Sequence, residues 1–179
     1  AGNRHAGRMG SIVDRMIRAA RLDPSLYEEV EADLTATKQA AGVVVVSSLA
    51  AGLGSLFGVG IGGLVLATAA ALVGWVVWAV LIYVVGTKLL PEPTTKSDVG
   101  EILRVLGFAS APGIIRALGI IQSLSGIVML IAAVWMIAAM VVAVRQALDY
   151  QSTGRAVAVC LLGFAVQFVI SMLLLAPMV

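Results

Sequence analysis

Residues 106–119 read LGFASAPGIIRALG, and whether this stretch crosses a membrane decides the topology of the whole chain. Pro112 and Gly113 interrupt an apolar segment, and Arg116 follows within a turn. Pro112 removes the hydrogen bond to the Phe108 carbonyl and breaks a helix. Ser110 is placed to cap a new half-helix whose start lies at depth. Broken helices of transporters hold anions at such ends. The plainer reading is a structural kink whose freed carbonyl is satisfied by neighbouring helices, with Arg116 snorkelling to the far interface. The kink is favoured, because no other ionisable group is buried in the spans to complete a polar pocket.

Around this stretch the 179-residue chain is 60% hydrophobic and 12% charged, where soluble domains are roughly 25% charged. This composition predicts an all-α, polytopic helical membrane protein. No charged residue or histidine lies between Lys38 and Lys88, and residues 117–144 and 156–179 are likewise uncharged apart from their borders. Because about 20 apolar residues cross a ~30 Å core, the first run holds two spans and the others one each. Spans are expected at about 41–57, 63–86, 102–123, 124–144 and 156–176. The third, broken at Pro112, carries Arg104 and Arg116. Residues 1–38 form a cytoplasmic or interfacial N-terminal region, and 39–179 the transmembrane domain. With five spans, eleven of the 12 Lys and Arg fall on the N-terminal side and Arg116 alone opposite, as the positive-inside rule expects of a cytoplasmic N-terminus. Residues 1–38 hold no short apolar core with a cleavage site, so the first span is expected to act as the insertion signal.

In SIVDRMIRAARL, residues 11–22, Ile12, Val13, Met16, Ile17 and Ala20 share a helical face, while Arg15, Arg18 and Arg21 point elsewhere. That pattern suits a helix lying among anionic headgroups; docking on the protein's own loops gives the same periodicity. Asp23 and Pro24 then predict an N-cap and first residue of a second helix. The acids Glu28, Glu29 and Glu31 are expected in its early turns, complementing the helix dipole.

Between the first two spans, Gly54, Gly58 and Gly62 recur every four residues, the spacing that lets membrane helices approach closely. Gly58, Gly60 and Gly63 also spell G-x-G-x-x-G, but no strand precedes them and no acid follows about 20 residues on, so a tight turn is expected and not a dinucleotide loop. Met129, Met136 and Met140 share a face and read as packing residues more than as a soft-metal site. Trp75, Trp78 and Trp135 lie near mid-span and read as packing or partner-facing, with a ligand pocket as the other use. Arg145 and Asp149, four apart at a helix end, form either a local ion pair or contacts to lipid phosphate and another loop.

The spans hold no buried histidine for a metal or haem, His5 being in the polar tail, and the serines have no base near them. Cys160, the single cysteine, reads as a small packing residue. No catalytic residue, metal or cofactor is expected, and no nucleic acid. The lipid bilayer, other membrane proteins or a second copy of the chain are the expected partners.

Three stretches, RAARLDPSLYEEVEAD (18–33), LGFASAPGIIRALG and VWMIAAMVVAVRQALDY (134–150), together resemble the bacterial branch of the Yip family, the Ypt/Rab-interacting membrane proteins. FASAPG (108–113) and RQALD (145–149) carry most of the likeness. The resemblance implies a cytoplasmic N-terminus, five closely spaced spans and a bacterial plasma-membrane location. Eukaryotic members of the family act in vesicle trafficking and bind prenylated Rab GTPases and one another. The family supplies no catalytic residues to carry over. The expected function is therefore that of a non-enzymatic organiser, scaffold or accessory subunit; the alternative is a small permease or channel-like protein with its site at the broken third helix.

Overall fold

A computed structural model describes residues 11–53 and 56–175. Two short helices, α1 (Ile12–Ala20) and α2 (Pro24–Ala32), precede five long elements. These are α3 (Ala36–Leu53), α4 (Leu56–Val84), α5 (Val99–Ala109) with the 3-10 segment Ala111–Ile120, α6 (Ser125–Ala147) and α7 (Thr153–Leu175). All five are long and apolar enough to cross a membrane. The chain is a helical polytopic membrane protein.

Boundaries differ from the sequence expectation in physically legible ways. The first span begins at Ala36, five residues early, because Lys38 and Gln39 sit on the helix's polar first turn. The Gly58–Gly60–Gly63 stretch is a kink within α4: Gly60 takes φ +63°, a left-handed conformation open to glycine without steric cost. After Val84 the helix widens into a π turn, Val85–Leu89. The Tyr150 hydroxyl lies 2.9 Å from the Gly86 carbonyl and 2.6 Å from that of Leu90, tying this turn to the α6–α7 connection.

The third span is the pillar of the bundle. Across Val99–Ile120, 61% of the most apolar window is buried, against 11% for α4. α5 packs on α2, α3, α4 and α6, and the 3-10 segment chiefly on α3 and α6. A helix enclosed by protein need not be lipophilic all round, so the charges that made this span doubtful are compatible with its place. Asp98 and Glu101 form a reciprocal capping box at its start. Arg104, 4% exposed, donates through Nε at 3.0 Å to the carbonyls of Val30 and Glu31, satisfying the last turn of α2.

Among the described residues, close approach is seen at Gly107 and not at Gly62. A Cβ on Gly107 would lie 2.6 Å from the Ala40 Cβ and 3.0 Å from its backbone, so α3 and α5 touch there. A Cβ on Gly62 would meet open space, so Gly62 contributes no helix packing within the described residues. Gly54 lies outside the described residues, and the surroundings of Gly58 are not described either. Gly107→Ala is therefore expected to lower stability in detergent by about 1–3 kcal/mol through overpacking. Gly62→Ala should leave the melting temperature unchanged or slightly raised.

Candidate functional site

The break runs as follows. α5 ends at Ala109, Ser110 is its C-cap, and Pro112 enters the 3-10 segment. Ser110 does not cap the following half-helix as expected. Its hydroxyl donates backwards to the Gly107 carbonyl at 2.7 Å. The Ser110 carbonyl is taken up by the Gly113 N–H and by the Ser47 hydroxyl of α3, each at 2.9 Å. Arg116 completes the knot: Nη2 donates to the Ser47 hydroxyl (2.9 Å) and carbonyl (3.0 Å), and Nε to the Gly113 carbonyl (3.0 Å). Gly113 is required by steric room, since a Cβ there would strike the Ser47 hydroxyl, Arg116 Nη2 at 2.8 Å and Met136 Sδ at 2.9 Å.

This knot lies midway along the bundle. Ser47 is eleven residues into α3, and Met136 is eleven residues before the end of α6. At a rise of 1.5 Å per residue both sit roughly 17 Å from the same end of the bundle. Arg116 therefore does not snorkel to the far interface. Holding an arginine at the centre of a span costs about 2.5–3.5 kcal/mol on insertion scales, and such groups pair with one another or with carbonyls. Here carbonyls and a hydroxyl do so, and no ion pair to Arg116 occurs among the described residues.

Beside Arg116 opens a cavity of about 1060 Å³ between the third span, α3, α4, α6 and α7. Trp75, Trp78, Met136, Met140 and Phe164 form its walls, with Ser47, Ser48, Ser110, Arg116 and Gln167 as the polar groups. Trp78 and Phe164 stack at 4.8 Å between ring centroids, and Trp75 Nε1 donates to the Leu103 carbonyl at 3.0 Å. Ser47, Phe164 and Gln167 went unremarked in the sequence; the Ser47–Ser48 pair inside VVVVSSLAAG was the one available signal.

The N-terminal arginines are placed differently from the headgroup reading. Arg15 is 2% exposed and binds Glu29 (2.9 Å), Asp33 (2.8 Å) and Gln39 (3.0 Å), joining α1 to α2 and the start of α3. Arg18 pairs with Asp23 and Glu29. Both are committed to carboxylates of their own chain, and only Arg21 is exposed. Hydrogen bonding by Arg18, then Ser25, holds the Asp23 carboxyl below its ordinary value, and Thr35, then Arg15, does so for Asp33. Burial alone would raise Glu29, but the hydrogen bonds from Arg18 and Arg15 together outweigh it and hold that carboxyl low. The acids of α2 fall in its later turns and do not serve the helix dipole: Glu29 takes part in these pairs, and Glu28 accepts from Gln146 Nε2 at 2.8 Å.

Arg145 and Asp149 do not pair. Arg145 donates to the carbonyls of Tyr150 (3.3 Å) and Gln151 (3.2 Å). Asp149 takes φ +53° as the left-handed residue of a Schellman motif, with Tyr150 N–H bonded to the Arg145 carbonyl and Asp149 N–H to that of Gln146. Trp135 Nε1 donates 2.7 Å to the Ala20 carbonyl at the end of α1, and Met136 and Met140 line the cavity.

A family model described as Yip1 domain matches residues 28–175, most of the chain. No curated protein and no solved structure matches it.

Two outcomes test the electrostatics. Arg15→Gln leaves Glu29 and Asp33 without their buried partner and should cost up to about 3 kcal/mol, the low end for breaking a buried pair because both acids reach solvent. Glu31 behaves oppositely to its neighbours: burial first, then the charges of Asp149, Glu101 and Glu28, push it from 4.5 up to about 7, against a smaller pull from Arg104. As pH rises from about 4.5 to 7, the unfolded chain loses that proton before the folded one, so stability falls across this window. Glu31→Gln should remove the fall, melting higher than the wild type above pH 7 and alike below pH 4.5.

Proposed function

We propose, from the premise that the chain belongs to the Yip1-domain family, that this multi-pass membrane protein is a non-enzymatic organiser of other membrane proteins or of its own copies. The observation that carries this reading is the use made of the N-terminal charges. Arg15 and Arg18 of α1 and Arg104 of α5 bind groups of α2 and its caps, and Arg15 also reaches Gln39 of α3, closing the two short helices onto the bundle as one unit. α1 packs on the third span, chiefly its 3-10 segment, with Ile12 beside Gly42 of α3 and Ala20 beside Trp135 of α6. Such a cap offers a rigid surface and no nucleophile–base pair among the described residues.

The location that fits is the bacterial plasma membrane with the N-terminus in the cytoplasm, since the basic residues gather at the end that carries α1 and α2. Lipid and other membrane-embedded proteins are the partners this reading requires. The permease reading has one observation in its favour, the cavity that reaches Ser110 and Arg116. Its walls are almost wholly apolar, which supports the organiser over a conduit for a hydrated solute.

In a Cys160→Ala background, cysteines at Lys96 and at Gln122 should label from opposite faces of intact cells, Lys96 from the cytoplasm. Extraction in native lipid discs should yield particles larger than one chain. Proteoliposomes should leak ions and small solutes no faster than protein-free vesicles. A monomer that conducts solute would overturn the organiser in favour of the permease.

A further inference from the structure

The cavity beside the break combines apolar walls with a cation that has no carboxylate opposite it. We infer that it holds a single-chain anionic amphiphile, its carboxylate or phosphate head on the Arg116 guanidinium and its hydrocarbon chain along α4 and α7. Three of the donors of Arg116 are accounted for by Ser47 and Gly113, through Nε and Nη2. Nη1 meets no acceptor among the described residues, and neither does the side-chain amide of Gln167, which lines the same cavity. A charge at this depth attracts an anion strongly, because the low dielectric strengthens a charge-assisted hydrogen bond.

Shape selects the rest of the ligand. A small hydrated anion would leave Trp75, Trp78, Phe164 and the alanines of α4 in contact with water. A neutral hydrocarbon would leave Arg116 unbalanced. An amphiphile meets both conditions. The volume, about 1060 Å³, slightly exceeds the roughly 300–1,000 Å³ typical of small-molecule sites. Along α4 the lining runs from Leu66 to Trp78, about 18 Å at helical rise, which suits an extended chain. Leu66, Val73, Ile137 and Ile170 on its rim are exposed, so the cavity opens laterally and a lipid enters without crossing water. The assignment is independent of which proteins the chain organises.

The test uses the delipidated full chain in detergent, with bromine-labelled palmitate quenching the emission of Trp75 and Trp78. Palmitate, lysophosphatidate and hexadecanol compete for the site. Palmitate or lysophosphatidate should displace the probe at least tenfold better than hexadecanol, and the stronger of the two identifies the head as carboxylate or phosphate. Arg116→Gln should bring the anionic competitors down to the level of hexadecanol, and Arg116→Lys should retain a preference for them. Gly74→Phe, on the cavity wall at a position where an added Cβ meets open space, narrows the cavity and should weaken quenching at an unchanged melting temperature. Hexadecanol competing as well as palmitate, or quenching undiminished in folded Gly74→Phe, overturns the assignment. Absence of saturable quenching in folded wild type does so equally.

Discussion

Within a bilayer every backbone carbonyl must find its donor inside the protein, and the break at Pro112 is where that constraint is hardest to meet. The Ser110 and Gly113 carbonyls lie midway along the bundle, and the donors come from Gly113 N–H, Ser47 and Arg116. Each member holds another: Arg116 bonds the same Ser47 hydroxyl that caps Ser110, and Gly113 has no side chain because there is no room for one. The knot fixes α3 against the third span and brings Met136 of α6 into contact. It also explains how an arginine comes to rest where lipid would exclude it. The 3-10 geometry beyond Pro112, at about 2 Å rise per residue, carries the chain onward to the turn before α6 with few residues.

A second set of charges acts at the end where the chain enters the bundle. Arg15, nearly inaccessible, binds three side chains from two elements, and Arg104 closes the last turn of α2 from within the third span. These contacts place α1 and α2 against the flank and top of the bundle instead of free on a membrane surface. The acids that answer Arg15 and Arg18 are held ionised by them, whereas Glu31, crowded by Asp149, Glu101 and Glu28, is not. The cap thus contains both a stabilising ion-pair network and one carboxyl that resists ionisation, and the stability of the folded chain reflects their opposition. An organiser that must present a constant surface has a use for such a cap.

How much was legible in the sequence depended on whether the signal was one-dimensional. Four spans follow from uncharged runs longer than the hydrocarbon core, because crossing lipid imposes a length and a polarity on each segment; the third, which carries Arg104 and Arg116, follows from the asymmetry of the Lys and Arg count. The Asp23–Pro24 start of α2 and the break at Pro112 follow from local backbone chemistry, and both stand where Asp23 and Pro112 put them. The face on which α1 docks was not legible: helical periodicity separates Arg15 from Ile17 but does not say which of them turns inward. Val13 and Ile17 are exposed while Arg15 is buried, since carboxylates on α2 await it. Glycine spacing does not place a contact for the same reason: a Cβ on Gly62 meets open space, and only a neighbour, such as Ala40 facing Gly107, makes one.

Composition, run length and the residues flanking each turn determined by themselves that this is a multi-pass helical membrane protein with a broken third span, for those signals act along the chain. Only the tertiary structure decided what the charges do. Arg15, Arg104 and Arg116 have partners fourteen to seventy-four residues away in sequence, and no local pattern encodes a contact at that distance. The cavity beside Arg116 is likewise a property of all five spans meeting, and it exists in none of them alone.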